Sequence, residues 1–175
     1  IYHRRKTMIN FDLSVHTGNQ TLRDIADNYK TGRWVSFSKW LQRLEQEKKW
    51  TKQNKANAKA YLSGLLMTQG CLQGFLVCDI DFLIRDIVEQ KDGKNELEEI
   101  WNEMIEWLED KKEIGAKAVI LDGQNRLKFS IVPFIYGDLA IPLVIDSVEK
   151  NDVTFASLTD LEKQQVNDHP VIVHI

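Results

Sequence analysis

The chain has 175 residues and a formal net charge of −3, a near-neutral total that hides a strong asymmetry along the sequence. Residues 1–60 hold 13 lysines and arginines against 5 acidic residues, whereas residues 61–175 hold 10 against 21. The length predicts a single domain, 1–175, and a hydrophobic content of 43% excludes a disordered tail. No apolar run approaches the roughly 18 residues typical of a membrane span, so we expect no membrane partner.

The cysteine and histidine patterns exclude the common metal and disulfide frameworks. Cys71 and Cys78 are too few for a disulfide framework, and their spacing fits no common metal motif. The four histidines do not cluster with each other or with a cysteine. We therefore expect a reducing, cytoplasmic compartment. The chain starts without methionine and stops inside an apolar run, which predicts a piece of a longer protein.

The N-terminal half predicts one short helix, one long helix and one strand in an otherwise irregular region. Either Asn19 or Thr21 is expected to cap a short helix that ends at Gly32. Residues 54–69 have the apolar spacing of an amphipathic helix. Residues 75–80 form a short apolar run, which predicts a buried strand.

The C-terminal half predicts alternating helices and strands. Residues 96–113 have one apolar stripe and one densely acidic face, and Gly115 ends this helix. The other predicted elements are a buried strand at 118–121, a helix through Leu127, Ile131 and Phe134, strands near 139–146 and 152–155, a helix opened by the capping box of Thr159 and Glu162, and a strand from Val171. The mixture predicts an α+β fold.

The strongest local signal is the pentapeptide Asp122-Gly123-Gln124-Asn125-Arg126, which joins a predicted strand to a predicted helix. Gly123 permits close approach of the backbone to a ligand, and the start of the helix offers unpaired N–H groups to phosphate. Arg126 can clamp phosphate oxygens, and Asp122 can hold a metal ion or orient a water molecule. Gln124 and Asn125 add polar groups that can orient the ligand.

The same pentapeptide also has a purely structural interpretation. Asp-Gly is a common turn, Asp122 can serve as an ordinary helix cap, and an arginine in a first helical turn is often only solvated. The physics of these five residues leaves both interpretations open.

The pentapeptide resembles the D-G-Q-Q-R signature of the N-terminal domain of GmrSD-type DNA endonucleases. Gln42-Arg43, Trp50-Thr51, the helix at 54–69 and the strand that begins at Phe75 follow in the order that the family shows. The resemblance covers roughly residues 33–175, so residues 1–32 are an N-terminal extension. Asn125 stands where the family usually has glutamine, and the acidic helix at 96–113 is an insertion relative to the family.

The resemblance implies a fold and an activity. The fold is ParB/sulfiredoxin-like, with a mixed sheet and flanking helices, and it belongs to modification-dependent restriction and phage-defence systems. The implied cofactors are a nucleoside triphosphate and Mg²⁺, with hydrolysis regulating DNA cleavage by a C-terminal nuclease domain or subunit. Asp122 and Arg126 are the expected catalytic residues, and Arg43 is a further candidate for nucleotide binding. An oligomer is possible.

Two alternatives stay open beside this interpretation. The domain can nick DNA directly at the pentapeptide, or it can be a non-enzymatic DNA-binding or adaptor module with a structural turn. Residues 30–59 contain nine basic residues interleaved with aromatic ones, which favours contact with DNA phosphates. We expect the tryptophans of this region, Trp34, Trp40 and Trp50, to pack in the core.

Overall fold

The computed structural model describes residues 17–37, 52–67, 74–91, 98–145 and 147–175. The strands of this part are β1 (Thr17–Thr21), β2 (Trp34–Ser36), β3 (Phe75–Asp79), β4 (Ala118–Asp122), β5 (Ile141–Ile145), β6 (Val148–Val153) and β7 (Pro170–His174). The larger sheet has the order β1-β7-β3-β4-β2, and β5 pairs with β6 as a separate antiparallel hairpin. In the larger sheet β7 runs parallel to β3 and β2 runs parallel to β4, whereas the other neighbours are antiparallel. The expected α+β fold with a mixed sheet and flanking helices is therefore confirmed.

The helices surround this sheet. They are α1 (Leu22–Lys30), α2 (Lys52–Met67), α3 (Ile80–Lys91), α4 (Glu98–Glu113), α5 (Gln124–Arg126), α6 (Val132–Ile135) and α7 (Asp160–Asn167). A π-helical stretch, Leu127–Ile131, joins α5 to α6, so helical backbone runs without a break from Gln124 to Ile135. Pro133 has no N–H group to bond to a carbonyl one turn earlier, which accounts for an irregular hydrogen-bond register at this point.

Two threonines fix the beginnings of helices. The Thr21 side chain accepts from the Asp24 amide at 3.1 Å, and the Asp24 carboxylate accepts from the Thr21 amide, which together form a capping box. Thr159 and Glu162 form a second capping box at α7, as their spacing predicts. Of the two candidate caps for the first helix, Thr21 is therefore the one used.

Each face of the larger sheet carries its own hydrophobic cluster. Ile120 and Phe75 point to the first face, which packs against α1, α2, α6 and α7. Val119, next to Ile120 on β4, points to the second face together with Cys78, and this face packs against α3 and α4. The acidic helix α4 therefore lies on the opposite side of the sheet from α2 and from the helical run that begins at Gln124.

Several elements differ from the sequence-based expectations. Helix α3 was not expected, although Ile80, Leu83, Ile84 and Ile87 have helical spacing and its apolar side chains pack on the second face. Strands β1 and β2 lie in a region that was expected to be irregular. The helix expected at 54–69 begins two residues earlier, at Lys52. Residues 68–70 and 96–97 lie outside the described residues.

The burial of two residue classes agrees with the expectations. Trp34 is 7% exposed and packs in the first-face cluster, whereas Trp40 and Trp50 lie outside the described residues. The outer face of α4 is solvated, and its exposed acids include Glu99, Glu103 and Glu106. Among the described helices, none is long and apolar enough to span a bilayer.

Candidate functional site

The phenyl ring of Phe75 is the platform on which the pentapeptide rests. Phe75 is fully buried, and it begins β3, the antiparallel neighbour of β4. Gly123 follows β4 with a φ of 101°, and a Cβ atom built on it would lie 2.3 Å from Cδ1 of Phe75. Only glycine fits there, because a positive φ is unfavourable for residues with a Cβ atom and because that atom would overlap the Phe75 ring. The close approach expected at Gly123 is therefore made to Phe75, a residue of the chain itself.

Arg126 is held against the same platform by several contacts. Its Nη2 donates to the carbonyl oxygen of Gly74 at 3.1 Å and lies 3.5 Å from Oδ2 of Asp122. Its Cζ lies 4.8 Å from the centroid of the Phe75 ring. The side chain of Arg126 is 15% exposed, whereas that of Asp122 is 63% exposed. The result is a largely buried guanidinium whose ion-pair partner is open to solvent.

The side-chain amides of Gln124 and Asn125 lie in different surroundings. Gln124 is buried, and its Oε1 accepts a hydrogen bond from the Ser36 hydroxyl on β2. This contact ties the pentapeptide to the edge of the sheet. Oδ1 of Asn125 is buried and has no hydrogen-bond donor within the segments that the structure describes. Gln124 therefore has a clear structural role, whereas Asn125 keeps a polar atom available for another partner.

Tyr61 of α2 is a second aromatic residue beside Arg126. The Cζ atom of Arg126 is 5.7 Å from the centroid of the Tyr61 ring, and the buried Oη of Tyr61 has no hydrogen-bond acceptor among the described residues. Burial raises the pKa of the Tyr61 phenol, and the positive charge of Arg126 opposes part of that rise. The phenol is therefore protonated at neutral pH and can donate a hydrogen bond.

Gly74 brings a histidine to the same end of the sheet. A Cβ atom built on Gly74 would lie 3.0 Å from Nε2 of His174, so the imidazole of β7 covers the bare Cα of the glycine. Leu76 pairs with Asp122 on one side and with His174 on the other. Asp122, His174 and Arg126 therefore surround the beginning of β3.

The residues of the site fit a magnesium ion only in part. Within the described residues, no group of three or more histidine, cysteine, aspartate or glutamate side chains is placed to hold a metal. Mg²⁺ commonly binds one or two carboxylates and completes its shell with water and substrate phosphates. Asp122 alone can therefore hold Mg²⁺ only together with the phosphates of a ligand.

The structure brings together five of the six residues that the sequence singled out. Asp122, Gly123, Gln124, Asn125 and Arg126 are contiguous, while Arg43 lies outside the described residues.

Sequence reasoning did not single out five contributors to the site, which are Ser36, Tyr61, Gly74, Phe75 and His174. Tyr61 lies within the helix expected at 54–69, and the apolar spacing of that helix gave it no role beyond packing. No local pattern marks Gly74 or His174, because their role comes from strand pairing between distant segments.

Comparisons with known proteins do not extend this picture, since no protein-family model, curated protein or solved structure that was compared with the chain matches it.

Proposed function

We propose that this chain is a domain that binds and hydrolyses a nucleoside triphosphate and is coupled to a DNA endonuclease of the restriction or phage-defence type. The observation that carries the proposal is the largely buried Arg126 guanidinium beside the exposed carboxylate of Asp122, at the beginning of a helical run that follows a buried strand. The resemblance of the pentapeptide to the D-G-Q-Q-R signature implies the ligand, a nucleoside triphosphate, and the coupling to DNA cleavage.

In this proposal Arg126 binds phosphate and Asp122 orients the attacking water molecule. A phosphate oxygen can compete with Asp122 for the Arg126 guanidinium, because charge-assisted hydrogen bonds in a partly buried site are strong. Asp122, once released from this ion pair, can orient a water molecule and accept its proton at the carboxylate. A bound Mg²⁺ would supply neutralisation of phosphate charge between Asp122 and the ligand.

The test compares nucleotide binding and turnover across four forms of the chain. Calorimetric titration with ATP and with GTP, followed by a phosphate-release assay, is applied to the wild type and to Arg126→Lys, Asp122→Asn and Arg85→Ala. We expect Arg126→Lys to weaken binding by roughly tenfold or more, because lysine keeps the charge but loses the planar fork. Asp122→Asn should retain binding and lose most of the turnover.

Arg85→Ala is the matched control, since Arg85 is an exposed arginine of α3, on the opposite side of the sheet. It should leave both measurements unchanged. A wild-type chain that binds neither nucleotide, or an Arg126→Lys variant that binds as well as the wild type, would refute the proposal. Metal-dependent nicking of plasmid DNA by this chain alone would instead favour direct cleavage at the pentapeptide.

One observation favours a second candidate, a non-enzymatic DNA-binding or adaptor module. Gly123, Gln124 and Arg126 each contact another part of the chain, at Phe75, Ser36 and Gly74, so a structural turn accounts for these three residues. That candidate predicts DNA binding that weakens with salt and does not change when ATP or GTP is added. An electrophoretic mobility series with and without nucleotide separates the two candidates.

A further inference from the structure

The hydroxyl of Tyr61 is buried, and the part of the chain that the structure describes provides no acceptor for its proton. The ring of Tyr61 lies beside the Arg126 guanidinium, at 5.7 Å from centroid to Cζ. Buried hydroxyls in native proteins almost always have a partner, because an unmade hydrogen bond costs free energy that water would otherwise supply. A buried hydroxyl that lacks an acceptor among the described residues can take one from a bound ligand.

The surroundings of this hydroxyl define the chemistry of that partner. The phenol is protonated at neutral pH, because burial raises its pKa, so Oη acts as a donor. The guanidinium of Arg126 lies beside the Tyr61 ring, and its carboxylate partner Asp122 is exposed. A donor hydroxyl next to a largely buried positive charge suits an anionic oxygen, which can accept from both groups at once.

We propose that the hydroxyl of Tyr61 donates a hydrogen bond to an anionic oxygen of the ligand that Arg126 holds. The inference rests on the proposed function and deepens it, since it assigns a ligand contact to a residue of α2. The site then consists of the pentapeptide on one side and α2 on the other. Tyr61 and Arg126 together select a phosphate oxygen at the end of the sheet where β4 ends and β3 begins.

Access to the hydroxyl requires a movement of one side chain. Oη is covered in the ligand-free chain, and Arg126 is the flexible charged group beside it. Side-chain rotamer changes at binding sites are common when the backbone stays fixed. A ligand that displaces the Arg126 guanidinium from above Oη uncovers the hydroxyl and keeps its own contact with Arg126.

The test removes only the hydroxyl. Tyr61→Phe keeps the ring and its packing, and Tyr136→Phe removes a hydroxyl from another tyrosine whose ring is also approached by cations, Arg23 and Lys30. The affinity of each form for ATP, GTP and inorganic triphosphate is measured by calorimetry, and the melting temperature of each ligand-free form by circular dichroism. Arg126→Lys is measured beside them as the reference for loss of the proposed phosphate contact.

The expected effects of Tyr61→Phe have opposite signs. Affinity for the triphosphate falls about tenfold or more, since a hydrogen bond to a charged oxygen is lost. The melting temperature of the ligand-free form stays the same or rises by about 2–4 °C, because an unpartnered buried polar group is removed. Tyr136→Phe changes affinity by less than twofold.

The outcomes separate this inference from the proposed function. Wild-type binding that is weakened by Arg126→Lys but unchanged by Tyr61→Phe overturns the inference and leaves the function standing. A lower melting temperature of ligand-free Tyr61→Phe also overturns it, because the hydroxyl would then stabilise the chain without a ligand. A wild type that binds no triphosphate ends both proposals.

Discussion

Gly123 and Phe75 set the geometry of the candidate site at the scale of single residues. We predict that Gly123→Ala destabilises the chain by about 3 kcal/mol, the sum of a positive-φ penalty and a clash with a buried ring. Gly115→Ala is the matched control, because Gly115 has a φ of 104° and a Cβ atom there would meet nothing within 4 Å. That variant should lose only about 1 kcal/mol. Urea unfolding of both variants measures the difference.

The comparison isolates the contribution of the Phe75 ring. If both glycine variants lose the same free energy of unfolding, backbone strain alone explains Gly123 and the ring is not a platform. A larger loss for Gly123→Ala assigns the extra cost to packing at the site.

The pentapeptide could be found from the sequence, but most of its partners could not. Asp122, Gly123 and Arg126 were visible because a strand, a turn and a helix beginning are encoded within a few neighbouring residues. Gly74 lies 52 residues before Arg126, and Ser36 lies 88 residues before Gln124. Such contacts depend on how strands pair across the sheet, which local spacing does not encode.

At the scale of secondary structure elements, the beginning of α7 is encoded locally by the capping box of Thr159 and Glu162. We predict that Thr159→Ala lowers the free energy of unfolding by about 1 kcal/mol, because the Thr159 side chain accepts from the Glu162 amide at the start of α7. Thr154→Ala is the control, since Thr154 precedes a short 3₁₀ turn without a side-chain cap. Thermal unfolding of both variants measures the loss.

If the capping box stabilises α7, Thr159→Ala should lose clearly more free energy of unfolding than Thr154→Ala. Equal changes in the two variants would mean that α7 is held by its packing on the first face and not by the capping box. Val166, which α7 buries there, would then be the residue to change next.

The elements that were missed were missed for two different physical reasons. Helix α3 has clear helical spacing, but it begins directly after β3 without a turn residue, so the apolar run of the strand masked its start. The strand β2 is only three residues long, and its pairing with β4 comes from the tertiary fold rather than from alternation. The π-helical stretch at Leu127–Ile131 has no recognised sequence signal apart from the nearby Pro133.

At the scale of the whole molecule, one basic helix and one acidic helix pack on opposite faces of the sheet. Helix α2, with Lys52, Lys55 and Lys59, packs on the first face, where Arg126 also lies. Helix α4 carries its exposed acids on the second face. The near-neutral total therefore conceals a molecule whose acidic helix points away from the candidate site, and phosphate binding does not have to overcome it at close range.

This arrangement predicts that DNA binding depends on where a charge lies and not only on the net charge. The triple variant Lys52→Gln, Lys55→Gln and Lys59→Gln should weaken DNA binding and reduce the slope of log affinity against log salt by up to about 3, since each lost phosphate contact removes about 0.9. The triple variant Glu99→Gln, Glu103→Gln and Glu106→Gln changes the net charge by the same amount in the opposite direction. Because those acids lie on the second face, it should raise affinity only slightly and leave the slope unchanged.

Fluorescence anisotropy with a DNA duplex across a salt series measures the affinity and the salt slope of both triple variants. Equal and opposite changes in the two variants would show that DNA responds to the net charge of the whole chain, and a first-face interface would then have no support.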